Sequence, residues 1–380
     1  MAKKIAAVII SVSMLFFSQT ANAAGEDEQA AVYTSAQAAA LYCVDTGEFL
    51  YVKNPDERLP MASTTKIMTS LVALEQAEID DKVVVFQRSM TAEGSSMGLK
   101  YGDKLRLSDL AAGMMTVSGN DAANAAAIGI SGSFEEFAKL MNQRAKALGL
   151  KNTNFVTPSG LDDEEHYSSA GDMAKLMEAA MENDDFRSLV KEKSVQVDFI
   201  YPEDKSVSYQ SHNKLLKLYE YCTGGKTGYT SEAGRCLVTS AERDGKHLIA
   251  VTLNSGDDWN DHIRMFDYGF SILERVHYDD TVFSGEVPTV GGVIDNIKVG
   301  GCSSFDCIVK KGDGEKVVRT VELPHFLYAP IRQGDTVGRI VYTLDGKVIA
   351  SNDIIAENDC PYFEKGFSLW ESIGRFFGFG

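Results

Sequence analysis

Ser63 and Lys66, three residues apart, have the types and spacing of a nucleophile and its base. The apolar residues after them, from Ile67 to Leu74, recur at one- and four-residue spacing, which predicts a buried helix with Ser63 at its N-terminal end. Positions three apart share a helix face, so Lys66 can reach the Ser63 hydroxyl. A serine attacks well only when a base takes its proton, and a lysine is such a base only when burial or a second cation lowers its pKa.

Two later stretches carry side chains that fit the same chemistry. Residues 118–120, Ser-Gly-Asn, supply a second hydroxyl for proton transfer and a carboxamide that can hydrogen-bond a substrate amide. Residues 226–228, Lys-Thr-Gly, place a cation and a hydroxyl in a glycine-rich stretch, where they suit a substrate carboxylate. The second lysine can also help to lower the pKa of Lys66. Each stretch alone is typical of an ordinary turn, so the argument for function depends on the set.

In this order, Ser-x-x-Lys, Ser-x-Asn and Lys-Thr-Gly are the signature set of penicillin-binding proteins and serine β-lactamases. The surrounding sequence more closely resembles the low-molecular-mass D-alanyl-D-alanine carboxypeptidases, from about Val32 to the end of the chain. The stretches that carry this resemblance are residues 62–69, 118–124, 166–168, 213–216, 226–230, 329–331 and 334–338.

The resemblance implies a serine-type carboxypeptidase that removes the terminal D-alanine from peptidoglycan stem peptides ending in D-Ala-D-Ala and is acylated by β-lactam antibiotics. By matching position, Ser63 is the nucleophile, Lys66 the general base and Ser118 the group that passes a proton to the leaving amine. The backbone N–H groups of Ser63 and Tyr229 would form the oxyanion hole. The substrate-binding residues that it implies are Asn120, Lys226, Thr227, Gly228 and Tyr229. We expect no cofactor, and no spacing of Cys and His suggests a metal site.

Other activities share the three motifs. An endopeptidase or a weak transpeptidase would use the same site with another substrate or acyl acceptor. A class A β-lactamase would need a Glu-x-x-Leu-Asn arrangement between Asn120 and Lys226, which the sequence lacks. A penicillin sensor, a binding module, would need a long apolar signalling segment, and no span outside residues 5–17 qualifies. His212 stands where some relatives have an arginine, and we favour a packed surface histidine.

The pattern of apolar residues predicts an α/β (α+β) fold. Strands are expected at 38–44 and 48–53 and again at 236–240 and 247–253, with a mostly helical block over 107–189 between them. One sheet must then be assembled from both ends of this region, with the helices beside it. The resemblance implies a penicillin-binding/serine β-lactamase-like domain with a five-stranded antiparallel sheet. Further strands are expected over 195–209, and a closing helix over 259–276.

Composition divides the chain into four predicted parts. Residues 1–23, with Lys3 and Lys4 before an apolar core, are typical of a signal peptide. Residues 31–275 form the predicted catalytic domain. Residues 277–360, where short apolar runs alternate with Gly/Asp turns, form a small all-β domain. Residues 364–380 follow as a separate C-terminal segment.

The pattern of residues 364–380 predicts an amphipathic helix that lies in a membrane interface; a helix packed on the protein's own core is the alternative. From this helix and the signal peptide together, we expect an exported protein on the extracytoplasmic face of the cytoplasmic membrane. Wound as a helix, the segment has on its apolar side Phe367, Leu369, Trp370, Ile373, Phe376 and Phe377.

Charge and cysteine content limit the remaining classes. With 54 Asp and Glu against 37 Lys and Arg, the net charge of −17 gives the chain no electrostatic reason to bind nucleic acid. Six cysteines are too sparse to be a disulfide scaffold. Cys43 and Cys236, in apolar strand-like runs, are expected to be buried thiols. Whether Cys302 and Cys307 form a disulfide stays open.

Overall fold

The computed structural model describes residues 32–76 and 82–363. The predicted signal peptide (1–23) and the predicted amphipathic helix (364–380) lie outside these residues. Within the described ranges, no helix combines the length and the apolar character needed to cross a membrane.

The α-helices within this part of the chain are α1 (Lys66–Leu74), α2 (Leu107–Thr116), α3 (Asn120–Ser131), α4 (Phe134–Ala147), α5 (Ala170–Glu182), α6 (Asp184–Val190), α7 (Leu215–Leu218) and α8 (Asp258–Ile272). The strands are β1 (Ala38–Cys43), β2 (Glu48–Lys53), β3 (Val83–Val85), β4 (Lys104–Arg106), β5 (Ser194–Asp198), β6 (Ser206–Gln210), β7 (Cys222–Thr230), β8 (Gly234–Arg243), β9 (Lys246–Ser255), β10 (Leu273–Asp279), β11 (Ser284–Val290), β12 (Asn296–Gly301), β13 (Ser304–Lys310), β14 (Val318–Glu322), β15 (Leu327–Tyr328), β16 (Thr336–Leu344) and β17 (Lys347–Ala356).

A five-stranded sheet forms the centre of the first domain, in the order β2-β1-β9-β8-β7, and every neighbouring pair is antiparallel. Two of its strands come from the start of the described chain, and the other three follow the helical block. The prediction that one sheet is assembled from both ends of this region is therefore confirmed.

Both faces of this sheet are buried. In β1, Ala38, Ala40 and Tyr42 belong to the core on the side of α1 to α5, whereas Leu41 and Cys43 belong to the core on the side of α8. Successive side chains of a strand point to opposite faces, so a strand between two helical layers must be apolar throughout. The uninterrupted apolar sequence of β1 therefore fixes the layered fold.

The second domain is built from β10 to β17. Six strands form a sheet in the order β14-β16-β17-β12-β11-β15, and β10 pairs with β13 in a separate two-stranded sheet. The helix predicted over 259–276 is wrong in its last turn, because α8 ends at Ile272 and β10 begins at Leu273. From Leu273 onward the exposure alternates from residue to residue, and the partner strand β13 supplies the backbone hydrogen bonds. Apolar spacing alone did not distinguish a helix from a strand here.

The cysteines of the described chain are all free thiols. Cys43 and Cys236 are buried, as predicted. Cys302 and Cys307, whose pairing the sequence left open, are not joined in this structure, and Cys302 is exposed.

A buried carboxylate joins α8 to the start of the sheet. Asp261 is fully buried, and it accepts hydrogen bonds from the backbone N–H of Ser35 at 3.0 Å, from the Ser35 hydroxyl at 2.7 Å and from the Ser255 hydroxyl at 2.8 Å. The Arg264 guanidinium also contacts it. Burial alone would raise the pKa of Asp261, but these hydrogen bonds outweigh it and lower the pKa below its ordinary value.

We expect Asp261→Asn to lower the free energy of unfolding by about 2–3 kcal/mol at pH 7, because an amide cannot accept all of these hydrogen bonds. A depressed pKa stabilises the fold only above the pKa of the unfolded state, so the difference should shrink as the pH falls below about 4. Urea unfolding at several pH values measures this difference in the free energy of unfolding between the wild type and Asp261→Asn. Asp257→Asn, at the N-cap of the same helix and with only exposed side-chain partners, is the control, and an equal loss in both variants would contradict the assignment.

Candidate active site

The Ser63 hydroxyl and the Lys66 amine lie 2.9 Å apart. Ser63 belongs to a 3₁₀ helix, Ala62–Thr65, that leads directly into α1. All nine residues of α1 are buried, so the surrounding core fixes the helix that carries the lysine. The structure thus brings the two residues together as their three-residue spacing predicts.

Two further oxygens hold the Lys66 amine. Its Nζ donates to Asn120 Oδ1 at 2.7 Å and to the Ser159 carbonyl oxygen at 2.6 Å. A neutral amine has two N–H donors and one lone pair, so with these two acceptors its lone pair is left for the Ser63 hydroxyl. The geometry therefore matches a lysine that accepts a proton from serine.

The electrostatic surroundings favour the neutral amine. Burial holds the pKa of Lys66 well below its ordinary value, and the nearby Lys226 ammonium lowers it further. The Asp121 carboxylate opposes both effects. No carboxylate hydrogen-bonds Lys66 among the described residues, so the usual stabilisation of a buried ammonium is missing here.

A second serine and lysine form a matching pair. Lys226 Nζ donates to the Ser118 hydroxyl at 3.0 Å and to the Thr227 carbonyl oxygen at 2.6 Å. Lys226 is almost fully buried, and this burial lowers its pKa to about 7. Ser118 has a φ of 60°, a left-handed conformation that is uncommon for serine. The backbone there is held in a strained conformation that directs the hydroxyl to Lys226.

Asn120 connects Lys66 to the loop 93–99. Its Oδ1 faces the amine of Lys66, and its Nδ2 donates to the Glu93 carbonyl oxygen at 2.6 Å. These two contacts fix which end of the carboxamide faces the lysine. Sequence analysis assigned Asn120 to a substrate amide; in this structure its side chain also aligns the base.

Asp121 holds the same loop, and sequence analysis gave it no role. Its carboxylate is buried and lies in the first turn of α3, where backbone N–H groups favour an anion. Its position directly after the Ser-Gly-Asn motif was the available signal. Its hydrogen-bond donors in the loop are the Ser96 hydroxyl (2.7 Å) and the backbone N–H groups of Met97 (2.8 Å), Gly98 (3.0 Å) and Leu99 (3.0 Å).

The edge strand β7 lies against Ser63. A Cβ atom at Gly228 would be 2.9 Å from the Met61 carbonyl oxygen and 3.1 Å from the Ser63 nitrogen, so only glycine allows this approach. Sequence analysis named Gly228 only as a substrate-binding residue; the protein's own backbone already requires a glycine there. Thr227 is half-buried, and the Tyr229 side chain is 68% exposed.

His166 is a second residue whose role sequence analysis missed. Its Nδ1 accepts from the backbone N–H groups of Val156 at 2.9 Å and Thr157 at 3.2 Å, so its Nε2 carries the proton and donates to the Thr65 hydroxyl at 2.8 Å. Burial lowers the pKa of His166 to about 4, which keeps it neutral. This bridge fixes the segment before Ser159 relative to the 3₁₀ helix.

His212 lies beside the site rather than in it. Its backbone N–H donates to the Thr116 carbonyl oxygen at 3.1 Å, and its side chain is exposed. Neighbouring groups still desolvate the ring in part, and together with the Lys226 ammonium this lowers its pKa. At pH 7 the neutral form is favoured, so the side chain offers no positive charge.

The assembled side chains suit acyl transfer. One amine can take the proton of the Ser63 hydroxyl, and the second serine–lysine pair, whose ammonium is near enough to act on Lys66, can move a proton toward a leaving group. A serine activated by lysine is a known variant of the serine–histidine arrangement.

Two protein families match consecutive parts of the chain. D-alanyl-D-alanine carboxypeptidase matches residues 23–257, which include every site residue named above. The C-terminal domain of penicillin-binding protein 5 matches residues 273–362, which correspond to the β domain.

Characterised relatives and solved structures agree with these matches. The chain is 34% identical to the D-alanyl-D-alanine carboxypeptidase DacF of Bacillus subtilis, over 94% of this chain and 95% of that protein. Penicillin-binding protein 5 from Haemophilus influenzae is similar in structure, with a TM-score of 0.66, 32% identity, and coverage of 87% of this chain and 98% of that one. The Streptomyces K15 DD-transpeptidase has a TM-score of 0.60 and 33% identity, and covers 63% of this chain and 98% of that one.

We expect NMR of ¹³Cε-labelled lysine to show that Lys66 titrates well below 10.5 and Lys226 near 7. Lys226→Gln should raise the pKa of Lys66, because it removes a like charge that disfavours the ammonium. Lys139→Gln, on the exposed face of α4, is the control and should leave Lys66 unchanged. A Lys66 that titrates like a free lysine side chain would contradict the buried, unpaired amine.

Proposed function

The chain belongs to the D-alanyl-D-alanine carboxypeptidase family, and we propose that it uses Ser63 to remove the terminal D-alanine from peptidoglycan stem peptides. The observation that carries this proposal is that two serine–lysine pairs with buried lysines lie close together, with the lysine of the first pair also held by the Asn120 carboxamide. Ser63 and Lys66 are 2.9 Å apart, Ser118 and Lys226 are 3.0 Å apart, and Asn120 contacts Lys66.

The first half of the reaction forms an acyl-enzyme. Neutral Lys66 takes the proton of Ser63, whose Oγ attacks the carbonyl carbon of the penultimate D-alanine. The N–H groups of Ser63 and Tyr229 stabilise the oxyanion, which the approach of β7 to Ser63 supports. Ser118, held by its hydrogen bond to Lys226, relays to the amine of the leaving D-alanine the proton that Lys66 took from Ser63, so that Lys66 is neutral again and Lys226 keeps its charge.

Substrate recognition falls to the remaining residues. Lys226 and Thr227 hold the terminal carboxylate, Asn120 binds the substrate amide, and Gly228 keeps the strand edge close to Ser63. A β-lactam presents an acyl carbon and a carboxylate in a similar arrangement, so the same residues would bind it while it acylates Ser63. Water then releases the peptide and regenerates the hydroxyl.

A second acceptor is a specific alternative. One similar structure is that of a transpeptidase, whose name implies that an amine takes the acyl group. Cleavage of cross-linked peptides, an endopeptidase activity, would also use the same acyl-enzyme. Release of free D-alanine from a pentapeptide in water, compared with transfer to an added amine, distinguishes these activities.

We also infer that the protein is exported and held at the membrane surface through residues 364–380. The sequence of residues 1–23 and the apolar side predicted for the C-terminal segment support this location. On this proposal residues 31–275 are the catalytic domain and 277–360 the domain between it and the membrane.

Ser63→Ala should abolish covalent labelling by a fluorescent penicillin and reduce D-alanine release from a D-Ala-D-Ala pentapeptide by at least 10³-fold, because the acyl-enzyme cannot form. Ser70→Ala is a matched control on α1, since the Ser70 hydroxyl is buried without a hydrogen-bond partner in the described chain. The control should label like the wild type. Labelling of Ser63→Ala at the wild-type level would overturn the assignment of the nucleophile.

Lys226→Gln should lower kcat/KM for the same peptide by about ten- to a hundredfold, the value of a lost charge-assisted hydrogen bond of roughly 1.5–3 kcal/mol. Amidating the peptide's C-terminus should impair the wild type comparably and the variant much less. Because the pKa of Lys226 is about 7, its ammonium is lost above that pH. The wild-type preference for the carboxylate over the amide should therefore decline as the pH rises through about 7.

Equal losses on amidation in wild type and Lys226→Gln would mean that another group holds the carboxylate. His212→Gln is the comparison variant for that outcome. Because His212 is neutral at pH 7, we expect it to leave the preference for the carboxylate nearly unchanged.

A further inference from the structure

One edge of the β domain exposes aromatic and aliphatic side chains next to one another. We call this set the aromatic edge. Its members and their exposed fractions are Val290 (46%), Val293 (53%), Phe326 (47%), Tyr328 (69%), Tyr362 (60%) and Phe363 (61%). Single exposed apolar residues are common, but an apolar patch of neighbouring side chains marks an interaction surface.

Backbone contacts place these residues side by side. Val290 at the end of β11 pairs with Tyr328 in β15, at the edge of the six-stranded sheet. The N–H of Phe363 donates to the Gly291 carbonyl oxygen at 2.8 Å, directly after Val290. The rings of Phe326 and Tyr328 contact edge to face, with centroids 5.3 Å apart. Three separate segments of the chain therefore form one continuous surface.

These three segments contain no acidic or strongly basic side chain, and their one histidine is the exposed His325. Residues 288–293, 324–330 and 361–363 lack Asp, Glu, Lys and Arg, in a chain of which 24% of residues are charged. The opposite edge of the same sheet is different, because Arg319 and Glu322 of β14 lie among its exposed valines. The absence of charge is thus a property of one edge and not of the whole domain.

The backbone of the aromatic edge also has few N–H groups that would need water as a hydrogen-bond partner. Four of the eight prolines of the chain, which have no N–H to satisfy, lie in these segments. The N–H of Val293 donates to the Pro361 carbonyl oxygen at 3.1 Å, and that of Ala329 donates to the Val290 carbonyl oxygen at 3.1 Å. A surface that contacts lipid must satisfy its backbone internally, as these groups do.

The path of the chain indicates what covers this surface. Phe363 is the last described residue, so residues 364–380 begin at the aromatic edge itself. Their sequence predicts an apolar side of six large residues. A bilayer surface can cover that apolar side and the aromatic edge together. Tyrosine, with an apolar ring and a polar hydroxyl, is enriched at the boundary between lipid and water.

We propose that the aromatic edge is a second lipid-contacting surface, through which the folded β domain itself rests on the bilayer. This inference depends on the proposed membrane location and adds to it a fixed orientation of the domain. Attachment at the C-terminal segment alone would leave the domain free to tilt. Contact at two adjoining sites would hold the active site at a constant height and direction above the membrane.

The test compares full-length mature variants in flotation with phosphatidylcholine vesicles. Phe326→Ser combined with Tyr328→Ser should weaken partitioning at least fivefold, because apolar area is no longer removed from water. Binding should change little with salt, since phosphatidylcholine has no net charge, the aromatic edge lacks Asp, Glu, Lys and Arg, and the four charges of the C-terminal segment cancel. Tyr33→Ser combined with Tyr101→Ser, which replaces tyrosines that are 74% and 73% exposed in the first domain, is the matched control and should bind like the wild type.

Three further measurements decide the outcome. All variants should keep the wild-type melting temperature and release D-alanine from a soluble peptide at the wild-type rate. Leu369→Glu combined with Ile373→Glu, in the C-terminal segment, should also weaken flotation. If the aromatic-edge variant floats like the wild type while the segment variant does not, the inference is overturned. A lowered melting temperature with unchanged flotation would also overturn it, and would indicate that the protein's own C-terminal segment covers the edge.

The experiment distinguishes a failure of the membrane proposal from a failure of the aromatic-edge inference alone. If the wild type itself does not float, both the membrane location and the aromatic-edge contact are wrong. Release of D-alanine by that same preparation would leave the catalytic proposal intact.

Discussion

The site depends on keeping a lysine amine buried without a carboxylate hydrogen-bonded to it. An ammonium in that position would lose its hydration without a hydrogen-bonded carboxylate to balance its charge, so the neutral amine is the form that the fold stabilises. The cost of desolvation is met by the packing of α1, whose nine residues are all buried. What would be a defect elsewhere becomes the source of basicity here, because a neutral amine beside Ser63 is ready to accept its proton.

The second lysine, Lys226, affects both the basicity of Lys66 and the binding of a substrate carboxylate. The ammonium of Lys226 lies close enough to disfavour a charge on Lys66. Burial lowers the pKa of Lys226 itself to about 7 before substrate binds, and a substrate carboxylate would raise it again. Catalysis and recognition share one electrostatic environment, so a change at either lysine is felt at the other.

Sequence reasoning predicted the residues whose side chains carry chemistry, because their types and spacing are visible in the sequence. It could not predict the carbonyl oxygens of Glu93 and Ser159, since every residue has a carbonyl and only the tertiary fold determines that these two accept from Asn120 and from Lys66. Asp121 and His166 were visible as residues, but their roles depend on loops that the pattern does not position. In the fold, the all-apolar β1 was clear. The change from α8 to β10 was not, because the three-residue spacing of Leu273 and Val276 continues the helical pattern and only the pairing with β13 makes this segment a strand.

The way in which the central sheet is assembled has a consequence for the order of folding. β1 pairs with β9, so that Ala38 lies opposite Leu253. When the chain emerges N-terminus first, the hairpin of β1 and β2 forms long before β9, the last of the five strands along the chain. Until β9 arrives, one edge of β1 is unpaired and its two apolar faces are uncovered. Contacts of such high sequence separation slow folding and prolong the exposure of aggregation-prone edges. A chain that crosses a membrane before it folds, as proposed above, would meet this delay on the far side of that membrane, beyond the reach of cytoplasmic chaperones.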